Sequence, residues 1–302
     1  FGHSFSELIS NKDIKNLFEI ISAYNDKSEI RFVGGCIRKI LTNEKIDDID
    51  LATNLNPSEI KKILKDQNIK FIETGLSHGT ITVVLGEKNY EITSLRKDVT
   101  TDGRHATVKF TNDWKEDASR RDFSINSIYS DIDGNLFDPY DGKLDLKNGK
   151  INFIGNPDDR IKEDYLRILR YVRFFLNYSN IPHDEKIKKV IKQNIHGVKN
   201  LSKERLIDEL KKIFISKKLP SLAKDPFMVE LIKLIFPELH NIEIFKNLND
   251  QAIKLLPSKD FIFLISVALI DNSENSDYFL FKYNISNKEK NRIKFIKNYY
   301  NK

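Results

Sequence analysis

Three acidic residues and a pair of glycines in the first third of the chain have the types and spacing that metal-assisted phosphate chemistry requires. Gly34 and Gly35 follow an apolar segment, and Asp48 and Asp50 come about a dozen residues later. Side chains two apart on a strand point to the same side, so Asp48 and Asp50 are predicted to share divalent cations. Glu91, flanked by apolar residues of a later predicted strand, is the candidate third acid. Carboxylate oxygens suit Mg²⁺, with Mn²⁺ as the alternative ion.

The glycine pair predicts where a triphosphate would bind. Glycine allows backbone to approach phosphate closely, and the helix predicted over 36–41 directs free N–H groups and the positive end of its dipole toward it. Arg38 adds a positive charge. Taken alone, the same residues are also compatible with a solvated acidic turn and an ordinary helix entry, because short motifs occur by chance.

The elements that must position these residues change character along the chain. Strands are predicted near 30–34, 48–52, 70–74, 79–85 and 89–95, and a helix over 57–66. From about Pro157 onward apolar residues recur at three- and four-residue spacing, which predicts helices only. Turn-rich residues at 133–142 separate the two patterns. We therefore predict an α+β fold with three domains: a catalytic head at 1–133, a helical neck at 134–218 and a helical body at 219–302.

Composition sets further limits on the protein. Its 302 residues are 40% hydrophobic and 31% charged, as in ordinary globular proteins, and the formal net charge of +6 is compatible with a nucleic-acid partner. No segment approaches the length of a membrane span, so no membrane partner is expected. The single cysteine, Cys36, fits a reducing compartment, which predicts an intracellular, cytoplasmic protein.

A second group of residues has a chemistry suited to nucleotide bases. Asp164 and Arg167 are three apart on what is predicted to be the first long helix, so they should lie on one face as an acceptor beside a forked donor. Cytosine and adenine both present an amino donor beside a ring-nitrogen acceptor, and the pair would accept these two bases while rejecting uracil and guanine. Arg170 is grouped with them as nucleotide-binding. An ordinary intrahelical ion pair explains Asp164 and Arg167 equally well.

The third group is the segment Arg120-Arg121-Asp122-Phe123-Ser124-Ile125-Asn126. Arg120 and Arg121 can bind phosphate or ribose oxygens with two parallel hydrogen bonds, and Asp122 or Asn126 can face a ribose hydroxyl. An exposed basic turn is the alternative for an isolated arginine pair. On a later predicted helix, Lys186, Lys189 and Lys192 are candidate contacts for nucleic-acid phosphates, although a solvated helix face is equally compatible with them.

The glycine pair, the acid pair and the later lone acid are similar to the motif of nucleotidyltransferases related to DNA polymerase β. The whole ordered set resembles the class II, or bacterial-type, tRNA nucleotidyltransferases, which are the CCA-adding enzymes, together with their poly(A) polymerase relatives. The residues that carry this resemblance are Gly34-Gly35-Cys36-Ile37-Arg38, Asp48-Ile49-Asp50-Leu51-Ala52-Thr53, Arg120 to Asn126, Asp138-Pro139 with Gly142, Glu163-Asp164 with Arg167, and Leu201-Ser202-Lys203-Glu204-Arg205 continuing to Glu209.

The resemblance implies a template-independent enzyme that adds CCA to the 3′ end of tRNA from CTP and ATP. It implies two Mg²⁺ ions at Asp48 and Asp50 with help from Glu91, ribose recognition by the Arg120 segment, and selection of CTP and then ATP by Asp164 and Arg167. The chain departs from the family at Lys39, where the family usually has Asp. The family usually also has a body and a tail that grip tRNA, and here the tail is expected to be short or absent.

Four alternatives to CCA addition are considered from the sequence. A CC-adding enzyme is disfavoured because the stretch 96–119 resembles a complete family loop, which CC-adding relatives shorten. A poly(A) polymerase usually has a Gly-Arg-Arg-Phe-like segment where this chain reads Thr74-Gly75-Leu76-Ser77-His78-Gly79. An A-adding enzyme stays open. A non-catalytic RNA-binding relative would have no chemical need for three convergent carboxylates.

Overall fold

The computed structural model describes residues 3–75, 79–101, 106–271 and 273–300. The chain divides into two compact units, Phe1–Asn156, here called the head unit, and Pro157–Lys302, here called the helical unit. The fold is α+β, as predicted. The two units meet after Asn156, and the predicted division into head, neck and body stays a prediction.

The head unit is built on a seven-stranded mixed sheet with strand order β3-β4-β5-β2-β1-β8-β9, beside a separate β6-β7 hairpin. Its strands are β1 Ile30–Val33, β2 Asp50–Thr53, β3 Phe71–Gly75, β4 Thr80–Leu85, β5 Lys88–Ser94, β6 Arg96–Thr101, β7 Ala106–Phe110, β8 Tyr129–Ser130 and β9 Leu136–Phe137. Its helices are α1 His3–Ser10, α2 Lys12–Ser22, α3 Gly35–Leu41, α4 Pro57–Asp66, α5 Trp114–Ser119 and α6 Gly142–Asn148, with a 3-10 turn at Ser124–Asn126.

Local sequence explains most of these elements. Helix α4 has the predicted bounds because Asn56 and Glu59 form a reciprocal capping box and Pro57 occupies the first turn, where its missing N–H costs nothing. Alternating apolar residues place Leu51, Ile81 and Ile92 in one core with α2, α3 and α4. The predicted strands near 70–74, 79–85 and 89–95 are confirmed as β3, β4 and β5 within one residue at each end.

The predicted strand over 48–52 is wrong at its start. Strand β2 begins at Asp50, and Asp48 lies in the preceding loop. The reason is strand pairing. The first residue of β2 that pairs with β1 is Leu51, opposite Phe32, and the first that pairs with β5 is Asp50, opposite Glu91. Residues before Asp50 therefore have no neighbouring strand in this register, and the argument that strand alternation aligns Asp48 with Asp50 does not apply.

Residues 134–156 belong to the head unit because they bond to the segment 122–128. The backbone N–H of Ser124 donates to the carbonyl of Asn152 (3.0 Å), and that of Ile154 donates to the carbonyl of Asp122 (3.1 Å). At Gly142 a side chain is excluded, since a Cβ would lie 2.1 Å from the carbonyl oxygen of Ser124. The turn-rich segment is therefore part of the support for residues 120–126 and not a linker.

The described part of the helical unit contains helices and no strand. They are α7 Pro157–Glu163, α8 Leu166–Tyr178, α9 Glu185–Asn194, α10 Lys203–Phe214, α11 Leu219–Lys224, α12 Pro226–Ile235, α13 Asp250–Leu255, α14 Phe261–Leu269, α15 Asn275–Lys282 and α16 Asn287–Tyr300, with 3-10 turns at Ile195–Asn200, Ile242–Asn247 and Leu256–Ser258. Across the residues described, no helix has both the length and the apolar character needed to cross a membrane.

The expected long helix carrying Asp164 is interrupted at that residue. Helix α7 ends at Glu163 and α8 begins at Leu166. The Asp164 carboxylate accepts the backbone N–H of Leu166 (3.1 Å), the first residue of α8. Asp164 lies between the two helices, before the N-cap Tyr165, so it does not share one helix with Arg167 as predicted. Of the segment used against a poly(A) polymerase, residues 76–78 lie outside the described residues.

Candidate functional site

The three predicted acids gather where strand β2 begins, beside the middle of strand β5. Asp50 is the first residue of β2 and pairs in parallel register with Glu91 of β5. Asp48 precedes β2 and is exposed, Asp50 is half-buried, and Glu91 is exposed. Glu91, the weakest of the three sequence predictions, thus lies beside Asp50 because of the parallel pairing of β2 with β5.

The acids affect one another electrostatically. Burial raises the pKa of Asp50, the charge of Arg121 opposes that rise, and the charge of Asp48 adds to it. Burial also raises the pKa of Glu91, followed by the charges of Asp50 and Asp48. The charges of Asp48 and Asp50 thus oppose ionisation of a neighbouring carboxyl, and a cation bound among the acids would relieve that repulsion.

These acids fit a divalent cation by ligand type and by mutual repulsion. Asp48, Asp50 and Glu91 offer the oxygen ligands that Mg²⁺ and Mn²⁺ take. In the described part of the chain, however, no group of three acidic, histidine or cysteine side chains is drawn together closely enough to form a finished metal centre. The geometry is that of acids neighbouring one another on an open surface, which is how Mg²⁺ sites that keep water and phosphate ligands are built.

The glycine pair forms the turn between β1 and α3. Gly34 has a positive φ of 69°, which favours glycine, and its N–H donates to the carbonyl of Ile128 (3.2 Å). A Cβ at Gly34 would lie 3.5 Å from Nη1 of Arg121. The backbone of Gly34 therefore lies against a guanidinium group, and both face the same space.

Arg38, Asn126 and Asp122 form one buried hydrogen-bonded chain. Nη1 of Arg38 donates to the side-chain oxygen of Asn126, and the amide nitrogen of Asn126 donates to Oδ1 of Asp122 (2.8 Å). All three are about 7% exposed. The sequence predicted separate contacts with phosphate and ribose, whereas the structure shows the three residues bonded to each other. Their contact with nucleotide stays a prediction.

Arg120 and Arg121 are organised by an acid that the sequence analysis missed. Asp117 is 1% exposed and accepts hydrogen bonds from Nε of Arg120 (2.9 Å), Nη2 of Arg121 (3.3 Å) and the hydroxyl of Tyr129 (2.7 Å). The signal in the sequence was helical spacing, because Asp117 precedes the two arginines by three and four residues. The opposing charges of Arg121 and Arg120 lower the pKa of Asp117 although burial acts in the other direction.

Lys39, the departure from the family pattern, contacts the loop that carries Asp48. Its ammonium group pairs with Oδ2 of Asp47, and its carbonyl accepts the backbone N–H of Glu44 (2.8 Å). Its charge also reaches Asp50, where it opposes the rise in pKa. Helix α3 and the acidic loop are therefore joined at this residue.

In the helical unit, the predicted base-selecting residues each bind another partner. Oδ2 of Asp164 accepts from Nη2 of Arg205 on α10 (2.7 Å). Nη1 of Arg167 donates to Glu163 (2.8 Å) and to the carbonyl of Arg160 (2.7 Å). Both side chains therefore have partners within the helical unit.

The Arg170 guanidinium lies 5.3 Å from the ring centre of Phe174, a cation-π distance.

The predicted tRNA contacts lie on the exposed side of α9. Lys186, Lys189 and Lys192 are exposed, and Lys189 and Lys192 help to line a shallow cavity of about 470 Å³. Lys192 pairs with Glu230 (2.7 Å), with both side chains about half exposed. Pairs as exposed as this one contribute little to stability, so an RNA phosphate could replace Glu230 at little cost.

His183 has a structural environment. Its Nδ1 lies 2.9 Å from the Tyr171 hydroxyl and its Nε2 lies 2.9 Å from Oδ2 of Asp225, and its ring stacks on Phe175 at 3.6 Å. The next residue, Asp184, accepts the N–H groups of Lys186 and Ile187 as the N-cap of α9.

Two sequence families match the chain. "Poly A polymerase head domain" matches residues 30–152, and "Probable RNA and SrmB- binding site of polymerase A" matches residues 183–243. Neither family reaches α13 to α16. The matched ranges contain the glycine pair, the three acids, the Arg120 segment and the lysines of α9.

Similar proteins come from animals and bacteria. CCA tRNA nucleotidyltransferase 1, mitochondrial, of Homo sapiens is 47% identical over 205 residues, which are 67% of this chain and 47% of the human protein. The CCA-adding enzyme of Staphylococcus haemolyticus is 34% identical over 267 residues, which are 88% of this chain and 63% of that protein. This chain therefore spans about half the length of the human relative.

Among solved structures, the CCA-adding enzyme of Bacillus stearothermophilus in complex with CTP has a TM-score of 0.71. It is 24% identical, and the match covers 99% of this chain and 70% of that chain. At this identity the likeness describes the fold, and it extends over both the head unit and the helical unit.

Proposed function

Because the chain belongs to the class II tRNA nucleotidyltransferase and poly(A) polymerase family, we propose that it adds C, C and A to the 3′ end of tRNA without a nucleic-acid template. Its substrates would be CTP, ATP and a tRNA that lacks part or all of its CCA end. The tRNA 3′ oxygen would form a bond to the α-phosphorus while the bond to the pyrophosphate leaving group breaks.

The observation that carries this proposal is the parallel register of Asp50 with Glu91, next to Asp48 and within the electric field of Arg121. Acids that repel one another beside a guanidinium group suit a metal-bound triphosphate, which brings cations to the acids and anionic oxygens to the arginine. A protein that only bound RNA would lose stability through such acids without gaining chemistry from them.

Asp48 and Asp50 would hold two Mg²⁺ ions, with Glu91 assisting. Bound metal would supply charge neutralisation for the reacting phosphate and a lowered pKa for the attacking hydroxyl. The chain's own part is to bind and orient. The backbone of Gly34 and Gly35 allows phosphate to approach, and Arg38, Arg120 and Arg121 carry the complementary charge, while Asp122 and Asn126 are proposed to face the ribose. Lys186, Lys189 and Lys192 are proposed to contact tRNA phosphates.

The direct test is nucleotide addition to a set of tRNAs that end before, within and after CCA. Each tRNA is incubated with CTP, ATP or both, with Mg²⁺ or Mn²⁺, and the products are resolved at single-nucleotide length. We expect completion to CCA and no further addition. No incorporation with either metal would contradict the enzymatic proposal, addition to a CC end alone would identify an A-adding enzyme, and long A tails would identify a poly(A) polymerase. Asp50→Asn is the inactive control.

Base selection is proposed to depend on Asp164 and Arg167, with Arg170 nearby. Replacing Asp164 by Ala removes the carboxylate that would accept the amino group of C or A, so incorporation of UTP and GTP relative to CTP and ATP should rise by about tenfold. Competition assays with mixed triphosphates measure this ratio. Asp159→Ala, on the neighbouring helix α7, is the control. An unchanged base preference in Asp164→Ala would remove Asp164 from this role.

We also propose a cytoplasmic location, based on the single cysteine, which is buried and whose thiol pKa burial raises to about 11. Similar proteins of mouse and human carry the word mitochondrial in their names, so a mitochondrial protein is the alternative. Fractionation of the source cells separates the two.

A further inference from the structure

Asp117 stands at the centre of a cluster of cations in the head unit. Besides Arg120, Arg121 and Tyr129, its Oδ1 accepts the backbone N–H of Arg96, the first residue of β6 (3.1 Å). One buried carboxylate therefore connects helix α5, strand β8, the start of the β6-β7 hairpin and both arginines that follow α5.

The three arginines around Asp117 are mostly buried and close together. Their side chains are only 16%, 15% and 19% exposed for Arg96, Arg120 and Arg121. Burial, and then the charge of Arg120, lowers the pKa of Arg96 to about 10. Against these three guanidinium groups stand Asp117 and Asp98, whose carboxylate lies 3.7 Å from Nε of Arg96. Three guanidinium groups held this close together can donate to several oxygens of one polyanion.

The cluster opens toward the glycine turn. Nη1 of Arg121 is the atom that a Cβ at Gly34 would meet at 3.5 Å, so the guanidinium group and the turn share one space. Asp117 fixes Arg121 from the other side, because Nη2 donates to Asp117 and Nε donates to the Tyr129 hydroxyl (3.1 Å). With Nε and Nη2 bound inward, the Nη1 edge is directed toward Gly34.

We propose that Arg96, Arg120 and Arg121 together bind the terminal phosphates of the nucleoside triphosphate, and that Asp117 is the positioning residue, holding Arg120 and Arg121 by their guanidinium groups and Arg96 by its backbone N–H. The inference rests on the proposed function and adds two residues to it, Arg96 as a phosphate contact and Asp117 as its support. Asp117 does not touch the ligand.

The effect of removing the charge of Asp117 distinguishes orientation from simple attraction. If only the local field mattered, an uncharged residue in place of Asp117 would leave the cluster more positive and would strengthen binding of an anion. If orientation matters, binding weakens. Both oxygens of Asp117 accept hydrogen bonds, and every partner is a donor. In Asp117→Asn one oxygen is replaced by an NH₂ group, which would face a donor in either orientation of the amide. Asp117→Asn therefore disturbs either Arg120 with Arg96, or Arg121 with Tyr129.

The test measures binding of inorganic tripolyphosphate to the full chain by calorimetry, in EDTA so that the metal-binding acids do not contribute. Asp117→Asn and Arg96→Gln are each expected to weaken tripolyphosphate binding about tenfold, the effect of losing one charge-assisted hydrogen bond to a phosphate. Two controls match them. Asp113→Ala removes the N-cap of the same helix α5, and Arg31→Gln removes a head-unit arginine that pairs with Glu29. Thermal melting accompanies every variant.

We expect both controls to bind tripolyphosphate as the unaltered protein does, even where Asp113→Ala lowers the melting temperature. Tighter or unchanged binding by Asp117→Asn would overturn the positioning role, and unchanged binding by Arg96→Gln would remove Arg96 from the site. If Asp117→Asn fails to fold, Arg96→Gln alone decides whether the site extends beyond the arginine pair. Because the measurement needs no nucleotide addition, a protein that binds tripolyphosphate in this pattern but adds no nucleotide would separate failure of the proposed function from failure of this site.

Discussion

At the scale of single residues, we expect Asp50 and Glu91 to reduce stability in the metal-free protein. Burial raises the pKa of Asp50 and Glu91, so the folded chain holds their protons more tightly than the unfolded chain does. Stability from these groups is therefore lost as pH rises through their folded pKa values, which is the opposite of the usual behaviour of paired carboxylates. Residues that lower stability in this way commonly belong to functional sites.

Asp50→Asn should accordingly stabilise the metal-free protein. We expect its free energy of unfolding in EDTA at pH 7.5 to exceed that of the unaltered protein by about 1 kcal/mol, the gain typical of relieving a strained functional site. The difference should shrink as the pH falls through the raised pKa of Asp50, because Asp50 itself becomes protonated in the folded state. Urea unfolding at a series of pH values below 7.5 measures this, with Asp26→Asn, an exposed acid of the same unit, as control. A destabilised Asp50→Asn would contradict the argument.

Lys39 permits a second prediction at this scale, because its pairing with Asp47 joins α3 to the loop that carries Asp48. Lys39→Asp, which restores the residue usual in the family, would place two acids opposite each other here. We expect this variant to lose about 0.5–1 kcal/mol of stability through like-charge repulsion. The double variant Lys39→Asp with Asp47→Lys should recover most of the loss.

Urea unfolding of the two single variants and the double variant gives the coupling energy directly. For the same variants, the Mg²⁺ concentration that gives half-maximal nucleotide addition shows whether the pair of Lys39 and Asp47 also supports the proposed metal site. Additive effects of the two single changes would mean that the contact between Lys39 and Asp47 has no energetic consequence.

At the scale of elements, sequence patterns predicted what depends on neighbours in the chain and missed what depends on distant ones. Helix α4 and strands β3 to β5 were predictable because capping residues and apolar alternation lie within them. The break between α7 and α8 was not, since the apolar spacing of Leu166, Leu169 and Val172 says nothing about where the helix starts, and Asp164 is fixed by Arg205, 41 residues later. In the site, the acids were found from their spacing. Asp117 was missed because its local spacing from Arg120 and Arg121 indicates only an ion pair, and its bonds with Arg96 and Tyr129 join residues 21 and 12 apart in the chain.

His183 provides the test at this scale because it connects α8 to α12. Tyr171 of α8 bonds to one ring nitrogen and Asp225, the N-cap of α12, bonds to the other. His183→Leu keeps an apolar group beside Phe175 but leaves a buried hydroxyl and a carboxylate without this partner, which should cost about 2–4 kcal/mol of stability. His240→Leu, at an exposed position, should cost little.

The pH dependence of that loss has a defined sign. Burial would raise the pKa of Asp225, but the hydrogen bond with His183 and the N–H groups at the start of α12 lower it overall. A lowered pKa contributes stability above the unfolded value, and this stability is lost as pH falls through the folded value. The difference between His183→Leu and the unaltered protein should therefore be larger at pH 6 than at pH 3, as measured by urea unfolding.

At the scale of the whole molecule, charge is divided unequally between the two units. The helical unit, 157–302, has 28 basic and 19 acidic residues, a formal charge of +9, whereas residues 1–156 have 22 basic and 25 acidic residues, a formal charge of −3. The excess that gives the chain its net +6 thus belongs to the helical unit. An acidic head suits metal ions, and a basic helical unit suits a polyanion such as RNA.

This division predicts that tRNA binding depends on salt through the helical unit. Each lysine that contacts a phosphate releases a counterion, so Lys189→Gln and Lys192→Gln should each reduce the slope of log affinity against log salt by about 1 and weaken binding of all tRNAs alike. Lys254→Gln, on α13, lies outside both matched families and is the control. Filter binding at salt concentrations from about 50 to about 300 mM measures the slope. If the slope of both α9 variants equals that of Lys254→Gln, then α9 does not contact RNA, and the positive charge of the helical unit must act through other lysines.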